Sequence, residues 1–145
     1  MAIINTENRN PNRPIDLSKM KKVANKALRR LDLGKSEVNI VFVSNQRIRA
    51  MNRRYLGMDI STDVLAFSGG DTPGGDDGFL GDVVISSDKA QQQAKEYGTS
   101  FLQEMALYVI HGILHLAGYE DRTKKGKALM RNMEDELIQK TGKIL

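Results

Sequence analysis

From Ser100 to Ala117 the chain is apolar on nearly every face of a helix: Phe101, Leu102, Met105, Ala106, Tyr108, Val109, Ile110, Ile113, Leu114 and Leu116 leave no polar side for water. A helix with no wet face has to be enclosed, so this segment sets the centre and the remainder must wrap it. A chain of 145 residues can bury one such helix in one core with little left over, so residues 1–145 read as a single domain. No apolar stretch reaches membrane-spanning length, and the Asn-rich segment from Met1 to Pro14 lacks the basic and apolar pattern of a leader. These features predict a cytoplasmic protein with no membrane partner.

The wrapping elements follow from periodicity. Ala2 to Asn5 reads as a short opening strand. Behind Asp16 as N-cap, Leu17, Met20, Val23, Ala24, Ala27, Leu28 and Leu31 recur three or four apart, the stripe of an amphipathic helix that Gly34 stops. Val38 to Val43 is a β-branched run and a buried strand. Asn45 opens a second helix that ends near Tyr55 and Gly57, and Asp63 to Phe67 forms another strand. Ser68 to Gly78 holds five glycines, three aspartates and Pro73, a mobile lid or plain connector with only a faint likeness to calcium-binding Gly-Asp sequences. Val83 to Ile85 makes a further strand, Ser86-Ser87-Asp88 caps a helix from Lys89 to Gly98, and Lys125 to Ile138 is a final amphipathic helix. Layer logic makes this an α+β fold, a small mixed β-sheet of about four strands packed with helices around the central buried one.

The chemistry is concentrated in that central helix. The chain has two histidines, and both lie there, as His111-Gly-Ile-Leu-His115-Leu-Ala-Gly118-Tyr-Glu-Asp121. Residues four apart share a helix face, so the two imidazoles point the same way and can share one ion. Gly118 can take the positive φ that turns a chain sharply, which lets Asp121 bring a carboxylate to the open side of the pair. Asp121 could equally cap the final helix. With no cysteine in the chain, a divalent ion must be held by imidazole, carboxylate and water, and three protein ligands leave a position open for chemistry. The pattern resembles the long zinc-protease motif, but Gly112 stands where that motif carries its general base, which argues against peptide hydrolysis.

His111-Gly-x-Leu-His115-Leu-x-Gly118-Tyr119 resembles the signature of the bacterial YbeY family of endoribonucleases. Asn52 with Tyr55, Thr62-Asp63-Val64-Leu65 with Phe67, Leu80-Gly81-Asp82-Val83-Val84-Ile85, and Met130 with Glu134 fall in the family's order, from about Val38 onward. The resemblance implies a metal-dependent, single-strand-specific RNase acting in ribosomal RNA processing, notably at the 3′ end of the small-subunit RNA, and in ribosome quality control, with ribosomal RNA and the ribosome as partners. It also implies a zinc-type site with three histidines. This chain departs from the pattern at Asp121, which replaces the third histidine, at Leu56, where an arginine is usual, and at Ala66, where a serine is usual. Two histidines and a carboxylate suit zinc first, with nickel, iron or manganese as alternatives, and the anionic ligand favours harder ions.

The chemistry expected of such a site is activation of water, or of the substrate's own 2′-hydroxyl, against a polarised phosphodiester. Glu120 is the nearest candidate for ligand orientation or proton transfer, its other reading being an exposed turn residue. Arg53 or Arg54 could contact phosphate in place of the family arginine, or simply belong to a solvated helix face. The formal charge of +4 is compatible with a polyanionic substrate, while eight aromatic residues and no Trp offer no evident row of base-stacking platforms. Two other functions stay open: a non-catalytic ribosome-associated factor with a structural metal, and a metal-dependent hydrolase of a non-RNA substrate.

Overall fold

The computed structural model describes residues 2–70 and 78–145, so residues 71–77 of the predicted lid or connector, and with them the calcium-like reading, lie outside the described residues. In chain order the elements are β1 (Ile3–Asn8), α1 (Leu17–Arg30), β2 (Glu37–Val43), α2 (Asn45–Leu56), β3 (Val64–Ser68), β4 (Phe79–Ser86), α3 (Ser87–Tyr97), α4 (Phe101–Leu116) and α5 (Lys124–Thr141). The four strands form one sheet in the order β1-β2-β4-β3. Its β1–β2 and β2–β4 pairs are parallel and its β3–β4 pair is antiparallel, so the expected mixed sheet in an α+β fold is what forms.

Two strands run beyond their sequence signal. β1 continues past Asn5 to Asn8 because its backbone pairs with β2 as far as Asn8 opposite Phe42. Thr6, Glu7 and Asn8 carry no apolar alternation to announce this, because the extension is held by backbone pairing to β2. β4 starts at Phe79, ahead of the Val83 run, and slips register beside Glu37 and Val38. The slip is made at Gly81, whose φ is +146° and where a Cβ would lie 2.3 Å from the Phe67 carbonyl oxygen. Only glycine fits such a close backbone approach.

The sheet has two unequal faces. On the inner face Val38, Ile40 and Phe42 of β2 and Val83 and Ile85 of β4 join Met20, Val23 and Leu28 of α1 and Val109, Ile110, Ile113 and Leu114 of α4 in the main core. Ile113 and Leu114 are fully buried, so truncating either to alanine costs about 2–5 kcal/mol. The outer face carries a smaller cluster in which Ile48 of α2 covers Val43, Leu65 and Val84.

Helix α4 comes very close to the sheet at one residue. A Cβ on Gly112 would sit 2.4 Å from Val83 Cγ1 and 3.2 Å from Val64 Cγ1. The glycine therefore serves as the docking point, and the face it marks points into β4 and β3. Its register is fixed at the start of the helix by a reciprocal cap: Ser100 Oγ accepts from Gln103 N at 3.0 Å and Gln103 Oε1 accepts from Ser100 N at 3.0 Å.

At the carboxyl ends of β2 and β4, Asp88 ties three segments together. It accepts from Asn45 N (2.9 Å), Arg13 Nε (2.7 Å) and Asn10 Nδ2 (3.0 Å). Burial pushes the Asp88 carboxyl up, but those hydrogen bonds and the Arg13 charge outweigh it and hold the pKa below the usual carboxylate range.

Candidate metal centre

His111 and His115 lie one turn apart on α4, on a face that the sheet does not cover. Their Nε2 atoms are 3.0 Å apart, with the rings crossed at 84° and centroids 4.5 Å apart. The chain then turns through a Schellman motif: Gly118 N donates to His115 O at 3.1 Å and Tyr119 N donates to Leu114 O at 2.9 Å. Gly118 has φ +100°, the positive value the sequence called for. Tyr119 packs onto the main core and anchors the returning segment.

This turn brings Asp121 back to the histidines. One ligand atom from each of His111, His115 and Asp121 lies within 4.8 Å of the other two. Asp121 is not the cap of the last helix. That role falls to Thr123, whose side chain accepts from Gly126 N at 2.9 Å and leaves the Asp121 carboxylate for the centre.

A further carboxylate arrives from α5. Glu134 Oε1 lies 3.4 Å from His111 Nδ1, both side chains being largely covered. A bond there places the ring proton on Nδ1 and turns Nε2 toward His115 and Asp121. Burial lowers the His111 pKa, but Glu134, with Asp63 and Asp121 adding their charge, more than reverses this and raises it above the ordinary histidine value. For His115, burial and the adjacent His111 imidazole bring the pKa below that value.

In the sequence Glu134 falls in a motif that gives it no partner. The available signal was its position four residues after Met130, which is buried, so that Glu134 falls on the helix face turned toward the core. Asp63 likewise opens a strand and falls in a family motif, and nothing local to it indicates that its charge acts on His111.

The remaining candidates lie elsewhere. Glu120 is exposed and lines a shallow cleft of about 530 Å³ with Gly118, Tyr119, Thr123 and Lys125. Arg54 is not gathered with the histidines. It sits on α2, across the sheet from α4, with its guanidinium carbon 5.5 Å from the centroid of the Tyr55 ring. The position after His111 gives a physical reason for the missing protease base. Any side chain at Gly112 would be driven into Val83 rather than toward the centre.

The donors suit a small divalent ion. Nitrogen ligands about 2.0–2.1 Å from a tetrahedral ion stand about 3.3 Å apart, so an opening of a few tenths of an ångström would seat one between the two imidazoles. Two nitrogens and a carboxylate oxygen fit zinc and the neighbouring transition metals.

A buried helix offering two imidazoles, halted by a glycine that returns a carboxylate, is an α+β arrangement whose three side chains could hold a metal ion. The family model for Endoribonuclease YbeY matches residues 5–142. Endoribonuclease YbeY of Geobacillus thermodenitrificans is 40% identical over 119 residues, covering 74% of either chain. Endoribonuclease YbeY of Carboxydothermus hydrogenoformans is 44% identical over 105 residues, covering 72% of either chain. The solution structure of TM1509 from Thermotoga maritima superposes with a TM-score of 0.68 at 25% identity, covering 96% of this chain and 89% of that one. The chain belongs to the YbeY endoribonuclease family.

Proposed function

We propose that the chain, acting as one domain, is a metal-dependent endoribonuclease that cuts single-stranded RNA at the centre formed by His111, His115 and Asp121. Its place is in ribosomal RNA processing, including maturation of the small-subunit 3′ end and ribosome quality control, on ribosomes in the cytoplasm. No helix among the described residues is long and apolar enough to cross a membrane, which accords with that setting. The observation that carries the reading is the 3.0 Å approach of the two Nε2 atoms, with the Asp121 carboxylate in reach of both.

When bound, a divalent ion, zinc first among the candidates, supplies Lewis acidity, lowering the pKa of water and withdrawing charge from a phosphoryl oxygen. The protein's own residues set up that chemistry. His111 and His115 offer neutral Nε2 donors, Glu134 orients the first ring, and Asp121 closes the third side. Glu120 adjoins Asp121 in the chain but is exposed in the cleft beyond the turn, so its role in taking or returning a proton rests on that adjacency.

RNA as the substrate is supported by the charge that follows Asp121. Arg122, Lys124, Lys125 and Lys127 are all exposed, and none forms an ion pair among the described residues. The first turn of α5 contains no acidic residue, so its lysines stand at the positive end of the helix dipole. A local rule broken beside the candidate centre suits a polyanion arriving there.

The test is cleavage of one RNA sequence in single-stranded and in base-paired form, by chelated and by zinc-restored protein. Cutting only of the single strand and only with metal is expected; cutting without metal contradicts the reading.

A further inference from the structure

The outer face of the sheet carries a polar row that the metal centre does not use. Strand register sets Asn5 opposite Asn39 and Asn39 opposite Asp82, so the row crosses β1, β2 and β4 and ends against Phe67 of β3, opposite Asp82. Asn5 Nδ2 donates to Asn39 Oδ1 at 2.9 Å, and Asn39 Nδ2 donates to Asp82 Oδ1 at 3.0 Å. The second oxygen of Asp82 takes no hydrogen bond among the described residues. A carboxylate with one oxygen committed and one spare is an acceptor fixed in place.

This row forms one side of a cleft of about 630 Å³ that α2 leaves open. Phe67 closes its β3 end and meets Tyr55 edge to face, with ring centroids 5.7 Å apart. Tyr55 is 56% exposed, a large fraction for an aromatic ring, and Arg54 lies over it. Arg54 forms no ion pair among the described residues, and Arg9 stands at the cleft's other end, paired to Glu7.

Aromatic rings beside a row of amides with a spare carboxylate oxygen suit a ligand that is flat and apolar on its faces and bears N–H donors on its edge. An alkyl chain would strand the amides and Asp82. An acidic peptide would meet Glu7 and Asp82. A nucleobase satisfies both halves, and the free cation at Arg54 suits its adjoining phosphate.

We propose that this cleft seats one unstacked base of the RNA strand, at a nucleotide removed from the bond being cut. The base stacks on the Tyr55–Phe67 pair, and its exocyclic amine donates to the spare oxygen of Asp82. Adenine, cytosine and guanine carry such an amine, whereas uracil offers only its ring N3–H, set back between two carbonyl oxygens that a carboxylate repels, so the cleft favours the amino bases over uracil. The inference rests on the endoribonuclease reading, because it takes the strand that reaches the metal centre to be RNA. Strand β3 links the two places. It is the edge of the sheet, with Val64 and Ala66 packed toward α4 and Leu65 and Phe67 on the outer face, so a chain bending round that edge reaches both.

The experiment measures binding of zinc-loaded protein to uncleavable 2′-O-methyl oligo(A), oligo(C) and oligo(U) of about eight nucleotides by fluorescence anisotropy. Wild type should bind oligo(A) and oligo(C) more tightly than oligo(U). Tyr55→Ala, at an exposed position, should weaken all three by about tenfold, since stacking is tolerant of sequence, and Tyr55→Phe should restore the binding. Asp82→Ala should erase the preference over oligo(U). Wild-type affinities in both alanine variants, with melting temperature and zinc content unchanged, would overturn the proposal and give the cleft to another occupant such as a protein segment. Cleavage of a long single-stranded RNA by the wild type, run alongside, keeps the two readings apart. Its absence sinks the enzymatic one, whereas cleavage with unaltered variant binding sinks only the base site.

Discussion

Glu134 and His111, 23 positions apart in sequence and on different helices, meet with Oε1 3.4 Å from Nδ1. The contact sets Nδ1 toward Glu134 and leaves Nε2 toward the candidate centre, so α5 should contribute to metal affinity although it supplies no ligand. Glu134→Gln should weaken zinc binding by about 10- to 100-fold while the fold persists. Competition against a chromophoric chelator measures this. An unchanged affinity would show that the ring is oriented by other means.

The same carboxylate gives the two histidines opposite titration behaviour. In metal-free protein the NMR midpoint of His111 should lie above the ordinary histidine value and that of His115 below it. Glu134→Gln should bring His111 down. A raised folded-state pKa means that the His111–Glu134 pair stabilises the metal-free fold fully below the unfolded pKa, and that this contribution is lost as pH rises through the folded one. Metal needs the neutral rings, so zinc affinity should fall as pH drops through the His111 midpoint. Equal midpoints for the two rings would contradict this.

Gly112 is required by packing, and its replacement tests the docking of α4. Gly112→Ala places a methyl 2.4 Å from Val83 Cγ1 and should destabilise the protein by about 1–3 kcal/mol in denaturant unfolding. Val83→Ala, added to it, should recover part of the loss by removing the atom struck. Additive losses in the double variant would show that the helix and strand do not meet there.

The lysines of α5 should matter to RNA and not to the fold. Replacing Lys124, Lys125 and Lys127 together by Gln removes cations from the positive end of a helix dipole, so the melting temperature should hold or rise. Affinity for single-stranded RNA should fall, and its dependence on salt should become shallower as phosphate contacts are lost. A lower melting temperature with an unchanged salt slope would reverse that assignment.

What could be read from the sequence divides along the range of the interactions. The enclosed helix, the common face of His111 and His115, and the turn at Gly118 are set by residues within about a turn of one another and were plain in the order of the amino acids. The choice between Asp121 as cap and Asp121 as ligand was open there, because Thr123 also offers a capping oxygen and only the geometry at Gly126 N assigns it. Glu134 against His111 needed α5 to fold back over α4. The row from Asn5 to Asp82 needed the register of three strands, and composition alone, with few aromatics, gave no hint of the platform that Tyr55 and Phe67 build.

Metal content per chain in protein purified without chelators, measured for the wild type, His115→Ala and Asp121→Ala beside RNA cleavage, bears most directly on the centre. One divalent ion per wild-type chain, near-complete loss in His115→Ala, clear weakening in Asp121→Ala and a parallel fall in cleavage are the expected results. Full occupancy in both variants would contradict the assignment of the centre to these residues.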